Sequence, residues 1–208
     1  MVKQKRDAKA TKAKIIIKSR LLFSKQGFDA TTVDDIAREC DVNKALLYYY
    51  FKNKSGLYSE VMSGLFDSIY KEVIQESKHS ITVVEELEVF IKSYTKYAYK
   101  NPYFPALVLR ELSDSGAHLP ELMFTSMRRV FFLLSDILER GRTQKVFQES
   151  IPMVIHFMVI GSINLMVTTQ ALRKKAVLLD NEIDTCSECS LENVSTYVFE
   201  TIKKSLIY

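Results

Sequence analysis

Residues that break helices are scarce in this chain, with six glycines and four prolines among 208 residues. So few turn formers argue against an all-β protein with many tight turns. No stretch shows the alternation of apolar and polar residues that marks a half-buried strand. The expected class is therefore all-α. Cysteine is sparse too: three is an odd number and provides no disulfide framework. The start, Met-Val-Lys-Gln-Lys-Arg-Asp, lacks the apolar core of a secretory signal. Both observations predict a reducing, cytoplasmic setting. Ile151 to Val167 comes nearest to a membrane span, but Pro152, His156, Gly161, Ser162 and Asn164 interrupt it, which favours a buried helix. Marks of catalysis are missing as well: there is no Gly-rich phosphate loop, nucleophile elbow or metal-ligand spacing. Carboxylates that are adjacent in sequence, such as Asp34-Asp35 and Glu85-Glu86, diverge on a helix and cannot flank one substrate. The chain reads as a non-enzyme with no cofactor and no metal.

What is present is a soluble, globular composition, 47% hydrophobic and 26% charged, long enough to bury a sizeable core. Its net charge of +4 is unevenly spread. Residues 1–54 carry 13 Lys and Arg against 6 Asp and Glu, while the rest carry 16 against 19. A basic N-terminal quarter on a mildly acidic body is the electrostatic footprint of a DNA-reading head. Lys3, Lys5, Arg6 and Lys9 alone would favour a solvated lysine-rich tail; the stretch that follows reverses that preference.

That stretch is Thr31 to Lys54. Val33, Ile36, Ala37 and Cys40 recur at the period of a one-faced buried helix. Thr32 is placed to cap it, and Asp35 completes a capping-box pattern. Asp41-Val42 forms a corner, where Asp can take the left-handed backbone that usually falls to Gly. Asn43 can cap the next helix, which turns Leu47 and Phe51 inward and Lys44, Ala45, Tyr48 and Tyr49 outward. A short helix with small, basic and phenolic groups on its free face suits a major groove. There Lys44 can donate to guanine, and Ala45 and Leu46 can touch thymine methyls. Tyr50 suits core and contact equally.

Read with its flanks, Leu22-Phe23, Gly27-Phe28, Thr31-Thr32-Val33, Ile36-Ala37, Val42, Leu47-Tyr48, Phe51, Lys54 and Leu57 resemble the DNA-binding signature of TetR-family transcriptional regulators. The resemblance covers roughly residues 8 to 60. Asp41 replaces the family's usual Gly, which bears on turn stability. Leu46 replaces a small polar residue, which bears on base choice. The resemblance implies phosphate contacts from Thr32, Tyr48, Tyr49 and Lys54, which fix register without reading sequence. It also implies a DNA-binding domain at 1–54, a ligand-binding and dimerisation domain at 55–208, and about nine helices. The double-stranded operator would be near-palindromic, with recognition helices about 34–36 Å apart.

The body is expected to hold long helices: Leu57 to Ile74, Val84 to Ala98, Phe104 to about Ser113, Glu121 to Arg140 stopped by Gly141, Ile151 to about Lys174, and Leu191 to Ile207. By resemblance, the last two of these, the eighth and ninth helices of the chain, form a four-helix homodimer bundle with their copies. The apolar circumference of the eighth supports this independently, since one face can meet the body and another the partner. Large adaptable residues with a few polar groups among them suggest a small-molecule site: Tyr94, Tyr97, Phe104, Arg110, Met127, Phe131, His156 and Asn164. For any one of these, ordinary core is the plainer assignment; for the pair His156 and Asn164, satisfied core is favoured. Arg110 to Glu121 resembles a segment of AcrR-like members, which implies a hydrophobic or amphiphilic inducer. Cys186-Ser-Glu-Cys189 invites a metal or redox role, yet no second pair or nearby His supports it. The reading is a dimeric, ligand-released repressor. Two alternatives stand beside it: an architectural DNA-binding protein with a scaffold-only body, and a helical carrier or enzyme whose basic head docks on protein.

Overall fold

The computed structural model describes residues 2–179, 186 and 189–207, with side chains from Ala8 onward. Among these residues there are ten α-helices and no strand, so the chain is all-α. In order they are α1 (Val2–Ala30), α2 (Val33–Cys40), α3 (Lys44–Phe51), α4 (Lys54–Glu76), α5 (Val83–Lys100), α6 (Tyr103–Ser113), α7 (Glu121–Thr143), α8 (Pro152–Thr168), α9 (Gln170–Leu179) and α10 (Leu191–Leu206). A 3₁₀ turn, Ser77–His79, follows α4. The polar loop expected at Glu182 to Ser190 falls largely outside the described residues.

Four departures from expectation have local causes. The backbone is helical from Val2, whereas the basic composition of residues 1–8 predicts a disordered arm, with the first helix starting at about Lys9. Gly27, which the sequence predicts to stop the first helix after Gln26, instead breaks α1 internally, at φ 80 and ψ −179, a region open essentially only to glycine. A Cβ there would also lie 3.1 Å from the Arg110 side chain. Gly141, expected to stop α7, instead lies inside it, and a Cβ there would collide with the buried Phe147 ring. The chain turns back after α7 through Lys145, at φ 60, and the Val146 and Phe147 amides both donate to the Gly141 carbonyl. The predicted eighth helix is broken between Thr168 and Gln170, with a 64° bend between α8 and α9. Thr168 and Thr169 donate back to the Asn164 and Leu165 carbonyls, a habit that bends helices. Arg173 then donates to the freed Met166 carbonyl at 2.8 Å. No single described helix is long and apolar enough to cross a membrane.

By packing, residues 1–66 and 106–127 form one compact unit, and 67–105 and 128–208 a second. In the first, α1 packs on α2 and α2 on α3 around Ile15, Phe23, Ile36, Leu47, Phe51 and Tyr58, all buried. In the second, α10 lies along α5, and α8 packs against both. Leu87, Phe90, Ile91, Val159, Ile163, Phe199 and Ile202 fill its core. Arg140 straps this unit with a bidentate pair to Glu86, 2.8 and 2.5 Å, and a bond to Asp136 at 2.8 Å.

Candidate nucleic-acid interface and ligand residues

Capping side chains set the geometry of the head. Thr32 Oγ1 accepts from the Asp35 amide at 3.1 Å, while Asp35 Oδ2 accepts from the Thr32 amide, completing the box. The Thr32 hydroxyl also donates to Asp35 Oδ2 at 2.6 Å, and this bond, then the one from the Thr32 amide, then Arg38, hold the Asp35 carboxyl below the usual carboxylate range. Asp41 takes the left-handed corner at φ 54, ψ 54, and the Val42 amide donates to the Ala37 carbonyl at 3.0 Å. Asn43 Oδ1 then accepts from Leu46 N at 2.8 Å and starts α3. Asn53 repeats the device for α4, accepting from Gly56 N at 2.7 Å.

Leu47 and Phe51 point inward and are buried. Lys44, Ala45, Tyr48 and Tyr49 are exposed, Tyr49 by 79%, so α3 shows water one contiguous small, basic and phenolic face. Leu46 is half-buried beside it. Tyr50 is also half-buried, its ring 5.2 Å from that of Tyr49. The two candidate lysines are already engaged. Lys44 Nζ sits 2.5 Å from Asp34 Oδ1, and this partner raises its pKa. Lys54 Nζ donates to the Phe28 carbonyl at 2.9 Å and lies 4.2 Å over the Phe28 ring, closing the C-terminal end of α1. Asp34 is the residue that sequence reading passed over. It stands ten positions before Lys44, across a tight corner that brings two short helices together.

A second group of contacts lies on the same unit, and sequence reading found it only in part. Arg110 packs on Gly27 and donates to the Lys25 carbonyl at 3.3 Å. His118 Nε2 pairs with Asp29 Oδ2 at 3.0 Å, and its ring stacks on Phe28. Tyr58 donates to Glu111 Oε1; both are buried, and Glu111 Oε2 has no partner. Burial first, then this bond to Glu111, pushes the Tyr58 hydroxyl pKa up. The C-terminal half of α6 and the segment after it therefore hold the C-terminal end of α1 and the first turns of α4. Glu111 lies seven residues after Phe104 and four after Leu107, both buried. That spacing puts it on the apolar stripe, the signal that marks a buried carboxylate.

The expected ligand residues divide. Tyr94, Tyr97, Phe104 and Asn164 come together in the second unit, where the Tyr94 hydroxyl donates to Asn164 Oδ1 at 3.0 Å. Phe104 meets the Tyr94 and Tyr97 rings edge-on at 5.9 and 5.3 Å. All four are buried. Phe131 and His156 make a separate edge contact at 5.3 Å. The His156 Nδ1 atom is buried without a partner, and burial lowers its pKa to about 4. Arg110 and Met127 belong to the first unit. A cavity of about 680 Å³ in the second unit lies elsewhere, between α8 and α10, lined by Met158, Met166, Val194, Tyr197 and Val198 among others.

Residues 15–61 match the family described as bacterial regulatory proteins, tetR family. Residues 84–198, more than half of the chain, match the tetracyclin repressor-like C-terminal domain. The chain belongs to the TetR family of transcriptional regulators. Among curated relatives of this TetR-family chain is the Bacillus subtilis protein named "Probable HTH-type transcriptional regulator YttP". It is 28% identical over 141 residues, covering 66% of this chain and 68% of the relative. The Staphylococcus aureus negative transcriptional regulator IcaR, of the biofilm operon icaADBC, is 35% identical over 80 residues, 38% of this chain and 43% of IcaR. Among solved structures, FadR from Bacillus subtilis with stearoyl-CoA superposes with a TM-score of 0.72 at 20% identity, covering 93% of this chain and 98% of FadR. A TetR-family regulator from Marinobacter aquaeolei reaches 0.75 at 15% identity, covering 99% and 98%. These structures share the fold.

Proposed function

We propose that this TetR-family regulator is a cytoplasmic, homodimeric repressor that releases a near-palindromic operator when a hydrophobic or amphiphilic small molecule binds its C-terminal domain. The observation that carries the reading is the free face of α3, where Lys44, Ala45, Tyr48 and Tyr49 stand exposed beyond the left-handed Asp41 corner. Residues 1–54 act as the DNA-binding domain and 55–208 as the ligand-binding and dimerisation domain. Lys44 exchanges Asp34 for a base edge. Thr32, Tyr48, Tyr49 and Lys54 contact phosphates, and Ala45 and Leu46 meet thymine methyls. Lys54 then serves both a phosphate and the end of α1.

The proposed dimer pairs α8 and α10 with their copies; Phe157, Met158 and Leu165 on α8 and Tyr197 on α10 are exposed apolar groups that a partner covers. Ligand release follows from differential affinity: an inducer weakens DNA binding only as far as it prefers the arrangement in which the two heads no longer match the operator. Bonds of Arg110, Glu111 and His118 to α1 and α4 give α6 and the segment after it a grip on the head through which such a preference can act. The test is recovery and sequencing of genomic fragments bound by the purified protein. One or a few near-palindromic sites support the reading; diffuse recovery contradicts it. The Tyr94–Asn164 bond, in which two expected ligand groups satisfy each other, favours a second reading with a filled body that serves only as scaffold. A rise in melting temperature with long-chain acyl compounds or other amphiphiles separates the two, because a ligand that binds only the folded state raises stability.

A further inference from the structure

We infer that Asp34 is a second base-reading residue, which together with Lys44 selects a G·C pair in the major groove. The inference rests on the DNA-binding reading above and names the base pair at which the two side chains act. The adjacent carboxylates at the start of α2 have different occupations. Asp35 is committed to the cap: it accepts from the Thr32 amide and hydroxyl and pairs with Arg38. Asp34 takes no part in that box. Its Oδ1 lies 2.5 Å from Lys44 Nζ, on the far side of the Asp41 corner. A carboxylate that touches the tip of Lys44 shares the free face of α3, where Lys44, Ala45, Tyr48 and Tyr49 are exposed.

Attraction to phosphate does not account for an acid on this face. Residues 31–51 hold two basic and four acidic side chains, so the basic character of residues 1–54 comes from the flanks of the two reading helices. Glu39 is matched by Lys18 at 3.0 Å, and Asp35 by Arg38. Asp34 differs from both, because its partner is itself the candidate base reader. Lys44 is 53% exposed and Asp34 64%, and ion pairs so open to water are weak, so DNA can part them.

Once Lys44 turns to a base edge, Asp34 stands beside the groove with acceptors only. Phosphates, guanine O6 and N7, and thymine O4 offer it no hydrogen, and a carboxylate closed off from water without a donor is costly. The amino groups of cytosine and adenine are the base-edge donors that satisfy it. A G·C pair gives Lys44 two acceptors, guanine O6 and N7, and gives Asp34 the cytosine amino group beside them. An A·T pair gives Lys44 a single acceptor on either side of the adenine amino group, and so suits the two side chains less well. Asp34 therefore acts by penalising wrong sequences as well as by binding the right one. Its charge also holds the head off non-specific DNA.

The test uses the full chain, its D34A, D34N and K44A variants, and D34A/K44A. The wild type first selects sites from a library of randomised duplexes. Each base pair of the selected site is then substituted in turn, and affinities are measured by fluorescence anisotropy at fixed salt. K44A locates the pair that Lys44 reads. At that same pair D34A should lower the preference for G·C by about tenfold, and D34N should shift the preference toward A·T, because an amide suits adenine N6 and N7. Both should bind non-operator duplexes roughly three- to tenfold more tightly. D34A/K44A should lose no more at that pair than K44A alone, since the two groups act as one reader. Melting temperatures should stay close to the wild type, because the pair is exposed. If D34A strengthens every sequence alike, or changes preference only at a pair that Lys44 does not read, Asp34 is no partner in base reading, and the DNA-binding regulator stands. If the wild type selects no shared site, the regulator reading itself fails, and this inference with it.

Discussion

The head and the body of this regulator are specified in different ways. In the head, each turn is set by a side chain within three residues of the amide it serves: Thr32 for α2, Asn43 for α3, Asn53 for α4. In the body, the decisive polar contacts span the chain: Tyr94 to Asn164 and Glu86 to Arg140 lie 70 and 54 residues apart. Even two polar residues on one helix diverge there. Asn164 is matched by Tyr94, whereas His156 keeps a buried nitrogen with no partner. Local capping can be read along the chain, but a bond across 70 residues depends on which helices meet.

The largest expected effect tests whether the body's aromatic cluster is core. Phe104→Ala should cost about 4 kcal/mol of stability by denaturant unfolding, as expected for deleting a buried ring. A loss below about 1 kcal/mol would mean that Phe104 walls a ligand cavity instead. His156 provides the next. Its folded pKa of about 4 lies below the ordinary 6.5, so the unfolded chain takes up a proton that the folded chain refuses. This contribution is complete above pH 6.5 and is lost as pH falls toward 4, by about 3 kcal/mol. His156→Phe should flatten that limb of the stability curve, and an unchanged limb would show that the ring is accessible to protons when folded. Asn164→Ala leaves the Tyr94 hydroxyl buried without a partner and should cost about 2 kcal/mol, whereas Asn164→Leu combined with Tyr94→Phe should cost much less. The smallest effect belongs to the head: Thr32→Ala removes one cap and should cost about 1 kcal/mol.

The contrast between head and body also explains what the sequence disclosed. The all-α class, the corner at Asp41, the caps and the outward face of α3 follow from spacings of three or four residues, and the structure has each of them. Gly27 was legible as a break for the same reason. Gly141 was not: its role is to leave room for the Phe147 ring, and a glycine that makes space looks the same in sequence as one that ends a helix. The bend between α8 and α9 was hidden because Thr168 and Thr169 fit an apolar helical period and their back-bonding appears only in the structure. The expected ligand residues were chosen by composition. That criterion gathers aromatic and polar groups without saying which of them satisfy one another, and the Arg110 and His118 contacts with the end of α1 lay beyond it.

The central claim is that α3 reads bases while Lys54 holds the backbone. Binding of Lys44→Ala and Lys54→Ala to a panel of operator variants over a range of salt concentrations tests it most directly. Lys44→Ala should change the order of preferred sequences, at about 1–3 kcal/mol for the base pair it reads. Lys54→Ala should weaken every sequence alike and reduce the salt slope by up to about one. If the two variants behave alike, the assignment of groove and backbone contacts on this head is wrong.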